Sequence, residues 1–179
     1  MKSAESRIIK ATFALISERP FHSITTEEII KTAGVAKASF YYYFRDKYDV
    51  AVAVMKELIF TSIKKSENID FTWTERLIDI QKKLVKAKTF MSNVLKIDMA
   101  HYLYLDLTRY YANCLNQHIK AAGLDVERLD VRKAIENLAQ TDIMIVYQYS
   151  KGKIKDKDLV KMTEMWRMWC PHNLYDYIR

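Results

Sequence analysis

The chain has 179 residues, of which half are hydrophobic, and it carries a formal net charge of +7 from 29 Lys and Arg against 22 Asp and Glu. It contains only 3 Gly and 2 Pro, which disfavours β-sandwich and Rossmann folds and favours long helices. Its two cysteines fit neither a metal-binding nor a redox spacing, and no apolar run is long enough to span a bilayer. The amino terminus lacks the apolar core of a signal peptide, so a cytoplasmic location is expected.

The first predicted helix covers about residues 6–18, where apolar residues recur at helical spacing and Pro20 marks the end. A second helix is predicted to start at Thr26. Thr25 followed by Glu28 forms the sequence pattern of a capping box, which satisfies backbone N–H groups at a helix start.

A short third helix is predicted after Gly34, which occupies the position where the second helix needs a left-handed stop. Phe40 and Phe44 are four residues apart and share one face of that helix, so both are predicted core residues. Two short helices joined by a tight turn are how a small domain places one helix in the major groove of DNA. The remaining sides of the third helix then carry the predicted DNA-facing residues Lys37, Ala38, Ser39, Tyr41, Tyr42 and Tyr43.

The three consecutive tyrosines cannot all face one core, because successive helical residues point about 100° apart. Core packing is the alternative interpretation, but at least one ring must be exposed. A phenol hydroxyl can donate a hydrogen bond to a DNA phosphate, and helix amino termini also attract phosphates. Further phosphate contacts are therefore predicted at the starts of the second and fourth helices: Thr25, Thr26 and Lys47.

The rest of the chain shows no period-two alternation and no internal repeat, so it is predicted to be helical as well. The fourth helix should begin near Lys47. Later helices are predicted at about residues 74–90, 98–121, 126–149 and 156–169. Gly123 and Gly152 are expected to end two of them. The predicted fold class is therefore all-α.

The segment AGVAKASFYYYFRDKYDV resembles the signature of TetR-family transcriptional regulators: a Gly-Val turn, a Lys, a small residue, Ser or Thr, an aromatic run, and a Lys at the next helix start. Residues 7–15, RIIKATFAL, resemble the family's first helix. The resemblance implies a three-helix helix-turn-helix DNA-binding domain over residues 1–47. It also implies a helical ligand-binding and dimerisation domain over residues 48–179, with the fourth helix as connector.

The same resemblance implies that Tyr41 and Tyr43 donate hydrogen bonds to phosphates, whereas Tyr42 faces base edges or sugars. The chain departs from the family pattern at two positions. Ala36 stands where the family usually has a Ser that caps the recognition helix, a loss of about 1 kcal/mol. Ala38 stands where the family often has Gly, so its methyl group is expected to alter the base preference.

An effector cavity is also implied in the carboxy-terminal domain, although aromatic residues there are alternatively ordinary core. The residues predicted near this cavity are Tyr102, Tyr110, Met144 and Tyr147. TetR-like proteins dimerise through their last two long helices, so an interface is favoured over burial within one subunit for the apolar repeats there. The predicted interface residues are Val131, Ile135, Leu138, Leu159, Met162 and Trp166.

The predicted function is sequence-specific transcriptional regulation. The expected protein is a homodimeric repressor, with activation as the alternative, that binds a pseudo-palindromic double-stranded DNA operator. It is released by a small-molecule effector that is largely apolar or aromatic. The rival interpretation is a DNA-binding structural or nucleoid-associated protein of the same fold without an inducer. An enzyme is not predicted, because no catalytic constellation is visible, and neither a metal site, a cofactor nor a membrane partner is expected.

Overall fold

A computed structural model of the chain describes residues 3–64, 73–94, 100–159, 161–162 and 174, with side chains for all of these except 59–64, 73–76 and 100–102. Every regular element in this described part is helical, which confirms the all-α prediction. The helices are α1 (Ala4–Glu18), α2 (Thr26–Ala33), α3 (Lys37–Tyr43), α4 (Lys47–Lys64), α5 (Trp73–Lys86), α6 (Lys88–Val94), α7 (Ala100–Ala121) and α8 (Leu129–Ser150), with a 3₁₀ turn at Phe21–Ser23. None of the helices in these ranges is long and apolar enough to cross a membrane.

The first three helices form a small unit around Phe40, whose side chain is fully buried. The start of α2 is capped as predicted, because the Thr25 hydroxyl accepts a hydrogen bond from the Glu28 N–H at 3.2 Å. Gly34 ends α2 in the left-handed conformation, with φ 61° and ψ 42°, which also confirms the prediction. The Arg7 guanidinium of α1 donates to the Gly34 carbonyl at 2.9 Å and so ties the turn to α1.

The single helix predicted over residues 74–90 is wrong, because the structure divides this stretch into α5 and α6 at Ala87. The bend turns the start of α6 toward α1, where Phe90 is fully buried and its ring centroid lies 5.1 Å from that of Phe13. Neither Gly nor Pro marks the bend in the sequence. Burial of the α6 side chains against α1 therefore decides where α5 ends.

α7 and α8 pack along each other and form the centre of the remaining core. Gly123 and Gly152 follow these helices with φ of 94° and 72°, as their predicted role as helix stops requires. Helical backbone resumes at residues 156–159, close to the predicted start of the last helix.

The residues predicted for a dimer interface are buried within a single chain. Val131, Ile135, Leu138 and Leu159 are at most 5% exposed although only one protomer is present. Met162 is half-buried, and Trp166 lies outside the described residues. Packing inside one subunit thus accounts for the apolar repeat on α8, which was the alternative weighed against an interface. The domain boundary after residue 47 stays a prediction, since α4 starts there and the buried core continues across it.

The carboxy-terminal end of α1 is completed by a residue far away in the sequence. The Ile16 carbonyl would normally accept a hydrogen bond from the N–H of the residue four positions later, but that residue is Pro20, which has no N–H. Asn93 of α6 supplies the missing donor, since its side-chain N–H group lies 2.8 Å from the Ile16 carbonyl oxygen. Both residues are buried, so this bond joins α1 to α6 in the protein interior.

Replacing Asn93 by leucine is therefore expected to lower the free energy of unfolding by about 1–3 kcal/mol, because the buried Ile16 carbonyl loses its donor. Urea denaturation followed by circular dichroism measures the change. Asn113→Leu on the exposed side of α7 is the matched control, with an expected change within about 0.5 kcal/mol. Equal destabilisation by the two substitutions would show that the hydrogen bond to Ile16 contributes nothing.

Candidate nucleic-acid interface

The short helix α3 presents aromatic side chains to solvent. Phe40 is fully buried and Phe44 nearly so, which confirms both as core anchors, whereas Tyr41, Tyr42 and Tyr43 are 48%, 81% and 40% exposed. The rings of Tyr42 and Tyr43 meet edge to face, with centroids 4.9 Å apart. Exposed aromatic groups of this size on a rigid helix are typical of an interaction surface.

The basic and small residues predicted to face DNA surround these rings. Lys37 and Ala38 are exposed and Ser39 is half-buried in the first turn of α3. We refer to one set as the reading surface: Lys37, Ala38, Ser39, Tyr41, Tyr42 and Tyr43. Ala36 precedes it and supplies no side-chain cap, as expected for alanine. The first N–H groups of α3 therefore point outward without a side-chain acceptor from Ala36.

Two threonines lie at the start of α2. Thr25 is exposed and Thr26 is half-buried. The Thr25 oxygen already accepts the Glu28 N–H, so Thr25 holds the end of the helix in place.

The junction between α3 and α4 is fixed by an ion pair and a cap. Asp46 accepts hydrogen bonds from the N–H groups of Tyr48 at 2.8 Å and Asp49 at 2.9 Å, which confirms that it caps α4. The Arg45 guanidinium binds both carboxylate oxygens of Asp49, each at 2.7 Å. Hydrogen bonding from Arg45 lowers the pKa of the Asp49 carboxyl, and the carboxylate raises the pKa of Arg45. These contacts set the angle at which α3 leaves α4.

Lys47 was predicted to contact phosphate, but its ammonium points toward the protein. Its Nζ donates to the carbonyl oxygen of Ile24 at 2.6 Å and lies 3.3 Å and 3.4 Å from those of Phe21 and His22. It also lies 4.7 Å from the centroid of the Phe21 ring. Burial lowers the pKa of this ammonium. The arrangement favours a role in holding the 3₁₀ turn and the start of α2 against α4 over a direct phosphate contact.

A small cavity of about 40 Å³ lies between α5, α7, α8 and the helical residues that follow. Its walls are mainly apolar, and the lining residues are Leu77, Ile80, Gln81, Leu84, Tyr111, Asp142, Ile143, Ile145, Val146, Leu159 and Met162. One polar pair stands among them, because the Tyr111 hydroxyl donates to the Asp142 carboxylate at 2.7 Å. Neither residue was singled out from the sequence, since 31 positions separate them and no local pattern links them.

The residues predicted to lie near an effector lie elsewhere. Tyr110 packs beneath the Lys56 ammonium, which is 5.1 Å from its ring centroid, and Met144 is 41% exposed. Tyr147 is half-buried with Lys151 over its ring, and the side chain of Tyr102 lies outside the described residues. The prediction chose the wrong side of α7, because neighbouring residues on a helix point about 100° apart.

The fold and the exposed aromatic and basic helix after a tight turn define a helix-turn-helix regulator. The sequence profile of the family described as "Bacterial regulatory proteins, tetR family" matches residues 8–54, which include α1, α2, α3 and the start of α4. The protein belongs to the TetR family of regulators, as its sequence signature indicated.

Relatives in sequence match this same amino-terminal part. The transcriptional regulator AcuR of Cereibacter sphaeroides is 38% identical over 53 residues, which is 30% of this chain and 24% of AcuR. A fatty acid metabolism regulator protein of Bacillus subtilis is 34% identical over 61 residues, which is 34% of this chain and 31% of that protein. The chain thus aligns with between about a quarter and a third of these relatives.

Two solved structures are similar over nearly the whole chain. The dihydroxyacetone kinase operon activator DhaS gives a TM-score of 0.66 at 17% identity, with 89% of this chain and 91% of DhaS covered. A TetR transcriptional regulator from Rhodococcus sp. RHA1 gives a TM-score of 0.67 at 18% identity, with 91% and 93% covered. At these identities the likeness concerns the fold.

Proposed function

We propose that this protein is a transcriptional repressor that binds a double-stranded DNA operator through the reading surface. The observation that carries the proposal is the exposure of Tyr41, Tyr42 and Tyr43 beside Lys37 on one rigid helix. Folding leaves these aromatic groups in water, so their conformation is retained for a partner. A helix of this length with a basic amino-terminal turn fits the major groove.

The contacts are divided by their chemistry. Tyr41 and Tyr43 donate hydroxyl hydrogen bonds to phosphates, which position the helix without reading sequence. Lys37 and Tyr42 reach base edges, and Ser39 hydrogen-bonds at the same level. The exposed start of α2 at Thr25 approaches a phosphate on the flanking backbone, because helix amino termini attract anions.

Specific recognition by such a small surface requires two copies of it. A homodimer places two α3 helices roughly 34–36 Å apart, one DNA turn, and so reads a pseudo-palindromic operator. Leu129 and Met144 are large apolar side chains exposed on α8, at 63% and 41%, and a second chain would cover them. The proposed interface therefore lies on the outer side of α8, opposite its buried residues.

We further propose that a small molecule bound in the cavity between α5, α7 and α8 releases the operator. The cavity is walled by helices, and α5 continues into α6, which contacts α1 through Asn93. A ligand releases DNA only if it binds the other arrangement of the two heads more tightly. The rival proposal, a nucleoid-associated protein without an inducer, uses the same reading surface but requires neither a selective ligand nor a defined operator.

Selection of bound sequences from a random DNA pool tests the proposal, followed by the mass of the complex. The expected result is a pseudo-palindromic consensus bound by two chains, with affinity that falls steeply as salt rises. A pool that shows no enriched sequence, together with binding at any ratio of protein to DNA, would favour the nucleoid-associated alternative.

A further inference from the structure

The polar groups of the cavity between α5, α7 and α8 restrict what it can bind. Gln81, Tyr111 and Asp142 provide the polar lining, and the remaining walls are aliphatic or Met side chains. The only charge among these described lining residues is the Asp142 carboxylate, since none of them is Lys, Arg or His. An anionic ligand would thus be placed beside a like charge in apolar surroundings, which is strongly unfavourable.

The Asp142 carboxylate is also held in a defined position. Tyr111 is 2% exposed, and its hydroxyl donates to the Asp142 oxygen Oδ2 at 2.7 Å. A carboxylate can only accept hydrogen bonds, so a ligand that pairs with it must donate. The apolar walls formed by Leu84, Ile143 and Val146 require that the rest of the ligand be hydrocarbon.

The size of the cavity limits the ligand further. About 40 Å³ of space for water-sized groups corresponds to roughly three water molecules. A long acyl chain or a fused ring system does not fit unless the walls move.

We infer that the cavity takes a compact hydrogen-bond donor without negative charge, with about three to five heavy atoms, such as a short branched amine or alcohol. The inference rests on the proposed effector site and names the chemical class of its ligand. Asp142 accepts the donor group, and the aliphatic walls cover the hydrocarbon part. Carboxylic acids of the same size are excluded by the like charge of Asp142.

Three probes with the same isopropyl group test the inference on the full chain: isopropylamine, 2-propanol and isobutyrate. Their binding is followed by the methyl NMR signals of Ile80, Leu84, Ile143 and Val146, which line the cavity. The amine or the alcohol is expected to shift these signals saturably, with a Kd on the order of 10⁻⁵ M or weaker for so few atoms. Isobutyrate is expected to bind at least tenfold more weakly, and the tighter donor probe shows whether the ligand is cationic or neutral.

Asp142→Asn removes the charge and keeps an acceptor for Tyr111. It is expected to weaken isopropylamine at least tenfold and to reduce the discrimination against isobutyrate. Asp130→Asn, at an exposed carboxylate on the same helix and outside the cavity, should leave all three affinities unchanged.

Binding of isobutyrate as tightly as the donor probes, or no saturable shift with either donor, overturns the inference. These titrations contain no DNA, and operator affinity is measured separately. Loss of the ligand result with intact operator binding rejects only the ligand class, whereas absence of any operator rejects the proposed function.

Discussion

Replacing Phe40 by alanine is expected to lower the free energy of unfolding by roughly 3–5 kcal/mol, because its ring fills the centre of the unit formed by α1, α2 and α3. Phe40 is fully buried, and the ring centroids of Phe44 and Tyr41 lie 6.0 Å and 5.3 Å away. A typical domain is stable by only about 5–15 kcal/mol, so this loss should unfold α3 and abolish operator binding. Chemical denaturation and a fluorescence anisotropy titration with operator DNA measure the two effects.

Tyr42→Ala separates stability from recognition on the same helix. Tyr42 is 81% exposed, so its removal should change the free energy of unfolding by no more than about 0.5 kcal/mol. Operator affinity should nevertheless fall about tenfold or more, with an altered base preference, because one base contact is lost. A Tyr42→Ala protein that binds its operator normally would contradict the reading surface, whatever the result for Phe40.

Lys47→Met is expected to weaken operator binding without changing its salt dependence. The ammonium binds three carbonyl groups of the protein, so its loss should loosen the turn at Phe21–Ser23 and the start of α2. The free energy of unfolding should drop by about 1–3 kcal/mol, as is typical for hydrogen bonds to a charged group. Affinity should fall for all DNA sequences by similar factors, because the substitution disturbs position rather than base contacts.

Lys37→Met is the matched control, since Lys37 is exposed in the first turn of α3 and has the same charge. It should leave stability unchanged but shift the preferred sequence and reduce the slope of log affinity against log salt by about 0.9. The slope is measured between roughly 50 and 200 mM salt. A reduction of the slope by Lys47→Met equal to that of Lys37→Met would show that Lys47 turns outward and contacts a phosphate.

The local signals of the amino-terminal part were sufficient to predict its fold. A cap at Thr25, a left-handed residue at Gly34 and a second cap at Asp46 each depend on neighbours within four positions. The spacing of Phe40 and Phe44 then identified the buried face of α3. Because these interactions are short in sequence, the pattern of residue types alone determines them.

The same kind of reasoning was less successful for α7 and α8. An apolar repeat marks the side of a helix that is buried, but it is the same for a core and for an interface. The structure shows that Val131, Ile135 and Leu138 pack within one chain. Likewise, Tyr110 and Tyr111 are adjacent in the sequence, and only the packing of α7 decides which of them reaches the cavity.

The sequence by itself determined the family, the helical class and the face of α3 that remains in water, because all three follow from local residue patterns. The bend at Ala87, the inward direction of Lys47, and the meeting of Tyr111 with Asp142 were decided by the tertiary structure alone. Each of these depends on contacts between residues that are distant along the chain, such as Asn93 with Ile16, 77 positions apart. Such contacts carry no signature in a single sequence, because they depend on how completed helices pack against one another.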